Sequence, residues 1–207
     1  MKINPDKSKT MEITFTRKHH DIPPLHLGGS PLDCVTTFKL LGVIISSDLS
    51  WSAHVEYVYS KCSRRLYLLL LLKRAGVPAG DILSIYLSMI RPVVEYACQV
   101  WYTSLTGAQT DKLEWIQRRA LRSVYPDASY AEALSQSGLP RLSQRMEDLS
   151  KAFFRDMLSP SHRLHHLLPP ARDIPYQLRR RAGFSRFHTR CSRFQKTLVA
   201  HGLRHWQ

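Results

Sequence analysis

The sequence predicts an α+β fold that is predominantly helical: a small β hairpin, then a helical bundle, then an irregular basic tail. Three observations predict it. Apolar and polar residues alternate early in the first fifty positions, apolar residues recur every three or four from about Ser52, and no sustained period survives beyond Ser159. These divide the chain into segments 1–50, 51–158 and 159–207. With 207 residues, 43% of them hydrophobic, the chain is long enough to build one sizeable core.

In the first segment, Met11, Ile13 and Phe15 alternate with polar neighbours, and a second apolar stretch runs from Phe38 to Ile45. Both read as strands. Pro23, Pro24, Gly28, Gly29 and Pro31 punctuate the connection, so the two can pair as a hairpin with a long loop.

The bundle begins with Val55, Val58, Cys62, Leu66, Leu69 and Lys73 on one helical face, ended by Gly76 and Pro78. A second helix from Ala79 places Ile82, Leu83, Tyr86, Leu87 and Ile90 together. Pro92 should kink or break it before Val93 to Trp101 continues. Tyr86, Tyr96 and Trp101 read as core aromatics. Leu113, Ile116, Ala120, Leu121 and Val124 line a third helix. Ser129 and Glu132 have capping-box spacing for a short fourth helix closed by Gly138, and Leu142, Met146, Leu149, Phe153 and Met157 define a fifth. Beyond it, prolines and a charge run break the pattern. From Arg172 onward stand nine basic residues (Arg172, Arg179, Arg180, Arg181, Arg186, Arg190, Arg193, Lys196 and Arg204) and one acid, Asp173.

Thirty Lys and Arg against 16 Asp and Glu give a net charge of +14, which attracts phosphate backbones or acidic membrane surfaces. The longest apolar run, Leu66 to Leu72, is far shorter than the roughly 18 residues that span a bilayer, so no membrane span is expected and nucleic acid is the first partner to consider. Cys34, Cys62, Cys98 and Cys191 stand far apart and read as reduced, mostly buried thiols of an intracellular protein.

Two-metal chemistry needs grouped carboxylates, and the acids here are scattered singly along helices. His201 with His205, the group His162, His165 and His166, and His188 before Cys191 have spacings that zinc ligands use, but they sit among arginines and lack the Glu of a metalloprotease helix. No metal or other cofactor is expected. Basic residues interleaved with aromatics are more informative: KCSRRLY at 61–67, Lys73 with Arg74, and QRRALRSVY at 117–125. Arginine binds phosphate oxygens in pairs and tyrosine stacks on bases, which suits a nucleic-acid groove. The alternative is that Tyr67 and Tyr125 are core and the arginines only solvate outer faces.

The ordered blocks NPDKSKTMEITF, FKLLGVIISSDLSWSAHV, RRLYLLLLLKRAGV, IYLSMIRPVVEYACQVW and KLEWIQRRALRSV, with LPRLSQRMEDL and SHRLHHLLPP after them, resemble the part of LINE-type, non-LTR retrotransposon reverse transcriptases that follows the catalytic aspartates. The resemblance implies a palm end and primer-grip hairpin, then a thumb and connection. By it, Asn4 and Lys7 match the block after the metal-binding strand, and Phe38, Leu41 and Gly42 match the primer grip, with Lys39 on the same strand. Leu40 stands where an aromatic residue is common. Arg64, Arg65, Lys73 and Arg74 match the basic side of the first thumb helix, and Arg118 and Arg119 of the QRRALRSVY cluster are further candidate nucleic-acid contacts. The implied partner is RNA or DNA, held through phosphates.

No Asp-Asp strand precedes Met1, so the expectation is a truncated, non-catalytic chain, with Mg needed only by an intact polymerase. Exposed apolar surface, including Leu25, Leu27, Val43 and Ile45, would then favour self-association. The segment SDLSWSAHVEYVYSKCSRRLYLLLLLKRAGV is also similar to a short segment at the N-terminus of AlkB-like tRNA-modifying enzymes. That resemblance implies a label without the enzyme, because an iron dioxygenase needs two His and a carboxylate on a β-barrel, which this pattern does not form.

Overall fold

The first fifty residues form three two-stranded pairings in place of one long hairpin, as seen in a computed structural model that describes residues 4, 7–14, 23–171, 183–185, 187–188 and 191–206. β1 (Lys9–Thr10) pairs in parallel with β4 (Asp33–Cys34), setting Lys9 opposite Asp33, whose carboxylate accepts from the Lys9 ammonium and is held below its ordinary range by it. β2 (His26–Leu27) and β3 (Ser30–Pro31) close across Gly28 and Gly29. β5 (Thr37–Leu40) pairs with β6 (Val43–Ser46), Leu40 facing Val43.

Two expectations are corrected here. Residues 11–14 are not in a strand, and Phe15 lies outside the described residues. The stretch from Phe38 to Ile45 is two strands, because Leu41 and Gly42 take φ of 46° and 87° and reverse the chain. Positive φ at both central positions is the turn that matches strand twist. Gly42 adopts it without penalty, whereas Leu41, 84% exposed, pays the steric cost of a β-carbon there. The apolar surface expected to be exposed is so only in part: Val43 is buried and Leu27 and Ile45 are half-buried, while Leu25 is exposed, as are Phe38 and Leu40.

The chain divides into two compact units, Met1–Val58 and Tyr59–Gln207, with the boundary inside α1 (Ser52–Arg74). In the first unit, the Ile44 N–H donates to His54 Nδ1 at 3.2 Å, tying β6 to the start of α1. His54 is buried, and the loss of water pushes its pKa down from 6.5 to about 4. The expected face of α1 is the buried one: Val55, Val58, Cys62, Leu66 and Leu69 are all inside.

In the second unit, α2 (Ala79–Ile85) runs into a π turn (Tyr86–Ile90) and α3 (Arg91–Glu95). Pro92 was expected to kink this helix, and the π turn is how the helix accommodates it. The Arg91 N–H reaches the Tyr86 carbonyl five residues back, and the wider turn gives the proline ring room. The continuation is not one helix. Ala97, with φ of 51°, breaks it before α4 (Cys98–Trp101) and a 3-10 turn (Tyr102–Ser104). Tyr86 and Trp101 are core as expected, but Tyr96, beside the break, is exposed.

α5 (Gly107–Val124), α6 (Tyr130–Ser137) and α7 (Leu142–Met157) complete the core, α5 packing on α2, α6 and α7. Capping boxes start α5 at Thr106 with Gln109 and α6 at Ser129 with Glu132, and Gly138 closes α6. The apolar face of α5 is buried as its spacing indicates. In α7 the fully buried stripe is Leu142, Met146, Ser150, Phe154 and Met157, one position away from the expected Leu149 and Phe153, which are half-buried. The reason lies in the tail. α8 (Ser192–Gln195) leads to α9 (Leu198–His205), which packs on α7 and places Leu203 against Phe154 and Met157. Gly202 meets Phe154 so closely that an added Cβ would fall 2.5 Å from its ring. The tail thus ends in a docked helix. Arg172, Arg179, Arg180, Arg181, Arg186 and Arg190 lie outside the described residues.

A buried polar network joins the helices. Arg141, at the start of α7, offers no capping side chain, and Glu114 of α5 serves instead. Its carboxylate accepts from the N–H groups of Leu142 at 3.1 Å and Ser143 at 2.9 Å, and from the Tyr130 hydroxyl. A negative charge at a helix N-terminus satisfies donors that the helix leaves open. Beside it, Gln117 accepts from Tyr86 Oη at 2.9 Å and donates to the Pro140 carbonyl at 2.8 Å.

Candidate nucleic-acid interface

The second unit contains a groove of about 730 Å³ walled by α1 and α5. α1 contributes Tyr59, Ser63, Leu66, Tyr67, Leu70 and Lys73, spaced so that they share a face at 3.6 residues per turn. α5 contributes Trp115, Arg119, Arg122 and Ser123 by the same rule, and Pro126 follows it. Three aromatic rings and three cations therefore converge, and no carboxylate lines the groove among the described residues.

The rings are held in place from both walls. Tyr59 and Trp115 meet at 5.5 Å between centroids, tilted by 45°. The Lys112 ammonium lies 4.6 Å from the Tyr59 ring and the Arg119 guanidinium 5.1 Å from the Trp115 ring. A cation over a ring face is attracted by its quadrupole, which holds Arg119 at the groove beside Trp115. Tyr67 is 58% exposed, against the alternative that it belongs to the core. Tyr125 is half-buried where α5 ends and does not line the groove.

Of the sequence-identified cations, the groove brings together Lys73 and Arg119. Arg118 is nearby on α5 but faces a smaller cavity with Arg122 and Tyr130, its guanidinium 5.0 Å from the Tyr130 ring. Arg64 and Arg74 are exposed on α1 outside the lining. Arg65 is committed elsewhere, donating to the Met89 carbonyl and so bracing the π turn. In the first unit, Lys7 and Asn4 are exposed, and Lys39 Nζ donates to Tyr57 Oη at 2.9 Å. Gly42 is a turn residue, so its positive φ already accounts for a glycine there. Arg122 stands within the QRRALRSVY cluster but not among the singled-out cations, and Tyr59 and Trp115 are not among the candidate residues, although Trp115 lies four before Arg119 and Tyr59 four after Val55.

The other candidate chemistry is structural. His165 and His166 bond to the carbonyls of Met157 and Arg163, His162 meets the Phe153 ring edge-on, and His201 lies between His205 and Trp206. Among the described residues no three His, Cys, Asp or Glu side chains are grouped to hold a metal ion. Burial pushes the Cys62 thiol up to about 12 and the Cys98 thiol up to about 11, whereas Cys34 and Cys191 are exposed, contrary to expectation. Among the described residues no helix is long and apolar enough to cross a membrane.

Comparison with known proteins finds polymerases of mobile elements. The chain is 25% identical over 124 residues, 59% of its length, to a probable RNA-directed DNA polymerase from transposon X-element of Drosophila melanogaster. It is 24% identical over 191 residues, 90% of its length, to a probable RNA-directed DNA polymerase from transposon BS of the same organism. It is 23% identical over 156 residues, 73% of its length, to the RNA-directed DNA polymerase from mobile element jockey of Drosophila funebris. The matched stretches span 14%, 21% and 17% of those relatives. No protein-family model and no solved structure matches the chain. The AlkB-like resemblance finds no counterpart among these three relatives. By its sequence the chain is similar to RNA-directed DNA polymerases of transposable elements, in agreement with the LINE-type, non-LTR resemblance of its ordered blocks.

Proposed function

We propose that this chain is a nucleic-acid-binding element of reverse-transcriptase origin, which grips the sugar-phosphate backbone and does not itself polymerise DNA. The observation that carries the proposal is the groove in which Lys73, Arg119 and Arg122 converge without an opposing carboxylate among the described residues. Phosphate oxygens are the natural complement of such a set, because guanidinium groups bind them in pairs and charge favours them from a distance. The net charge of +14 supports the same reading. The relatives are RNA-directed DNA polymerases by name, so RNA and DNA are both in keeping with that origin. Lys39, Arg64, Arg74 and Arg118, all exposed, add backbone contacts in the proposal, and Lys7 extends them in the first unit.

The test is binding of labelled RNA, DNA and RNA:DNA duplex across a salt series, with Arg119→Ala/Arg122→Ala in parallel. Affinity should fall steeply as salt rises. The double variant should bind about tenfold or more weakly and lose about two from the salt slope. Equal binding by the variant, or no binding at low salt, would overturn the proposal. Adding Mg²⁺ and nucleotides to the chain with a primed template should give no extension. A second reading, a helical docking module, draws on Leu68 and Leu71, 55% and 40% exposed on α1. It is distinguished by association that holds or strengthens with salt.

A further inference from the structure

We infer that the groove between α1 and α5 takes unpaired nucleic acid, stacking a base on Tyr67 beside the Tyr59 and Trp115 platform while Lys73, Arg119 and Arg122 hold the flanking phosphates. The inference rests on the nucleic-acid reading above and narrows it from phosphate contact to a class of strand. Phosphate binding alone needs only cations on a surface. This groove also carries three aromatic rings, one of them 58% exposed, within the same cavity as the cations. A ring face of that kind is matched by the flat face of a nucleobase.

Paired bases inside a duplex cannot supply it. In a duplex the faces are stacked on their neighbours, and only edges and phosphates are presented. A duplex laid on this surface would meet the rim charges and leave the rings unfilled. The volume points the same way, since about 730 Å³ is within the range of roughly 300–1,000 Å³ that accepts one small ligand. That is room for a base or two with their sugars. The platform is also built before any ligand arrives. Tyr59 and Trp115 brace each other across the two helices, and Lys112 and Arg119 sit over their rings. Stacking is open to every base, and no carboxylate among the described lining residues is available to accept from base amino groups, so binding is tolerant of sequence.

The experiment uses the full chain with labelled oligo(U) and oligo(dT), blunt duplexes of the same lengths, and free uridine monophosphate as competitor. The variants are Tyr67→Leu, which keeps an apolar side chain at an exposed position, and Tyr67→Phe, which restores the ring. Both single strands should bind more tightly than the duplexes. Tyr67→Leu should weaken them about tenfold, Tyr67→Phe should bind as the parent does, and duplex binding should be the same in all three. Uridine monophosphate should not displace the oligomers at equal nucleotide concentration.

If Tyr67→Leu leaves single-strand affinity unchanged while Arg119→Ala/Arg122→Ala reduces it, the stacking inference falls and phosphate binding stands. Displacement by the mononucleotide would make this a nucleotide pocket and overturn the strand assignment. Failure of every nucleic acid to bind at low salt removes both readings together.

Discussion

In the first unit the paired strands are two to four residues long, and most of their side chains face water, with Val43 and Ser46 the fully buried positions in β5 and β6. In the second, α5 alone buries Leu113, Ile116, Ala120, Leu121 and Val124, and it adds Glu114 and Gln117 inside the same core. The strands of the first unit are held by a two-residue turn, an ion pair between Lys9 and Asp33, and bonds to the start of α1 such as those from Ile44 to His54 and from Lys39 to Tyr57. The second is held by apolar burial and by polar groups that reach across helices to partners far away in sequence. The difference teaches that the groove lies in the unit whose helices are packed around a buried core. Its two walls belong to helices whose opposite faces are anchored in the core.

Breaking the long-range network should have the largest effect. Glu114→Ala leaves the Leu142 and Ser143 N–H groups and the Tyr130 hydroxyl without their acceptor in a buried site, and should cost roughly 4 kcal/mol. A fall in the urea midpoint with the slope unchanged would show it, and Glu114→Gln should lose less. A wild-type midpoint in Glu114→Ala would mean that α7 does not depend on this cap.

Acid sharpens the comparison from the other side. The folded first unit keeps the His54 ring neutral, so as pH falls below 6.5 the unfolded chain takes up a proton before the folded one does. Stability should be flat above 6.5 and decline by up to about 3 kcal/mol as pH falls from 6.5 to about 4. The decline should be smaller in His54→Leu, measured as the unfolding midpoint against pH. The smallest effect should be a gain. Leu41→Asn relieves a β-branch-free but bulky side chain of its left-handed backbone and should stabilise the hairpin by about 1 kcal/mol. A loss would show that Leu41 contributes packing that outweighs its strain.

Much of the second unit was legible in the sequence because its signals are local. The face of α1 follows from spacing, and α6 was marked at both ends by Ser129 with Glu132 and by Gly138. What escaped depends on distant partners. α9 has eight residues and no side-chain cap at Thr197, so its position comes from Leu203 reaching Phe154 and Met157. The break at Ala97 and the turn at Leu41 use left-handed backbone at residues that do not advertise it. Within the interface, Lys73 and Arg119 were identified from basic clusters, but charge alone also selected Arg65, which the Met89 carbonyl occupies. Tyr59 and Trp115 went unrecognised because a ring on one helix becomes part of a platform only when another helix supplies its neighbour.

The thiols offer a practical opportunity. Cys62 and Cys98 are buried and held protonated by the loss of water, so alkylating dyes at neutral pH should pass them by. Cys34 and Cys191 are exposed, and backbone N–H groups of Phe194 and Arg193 favour the Cys191 thiolate. One exposed thiol stands in each unit. The native chain thus comes with a pair of ready attachment points, and fluorophores placed on them would let the acid response of the hairpin and the urea response of the helices be watched separately in one molecule.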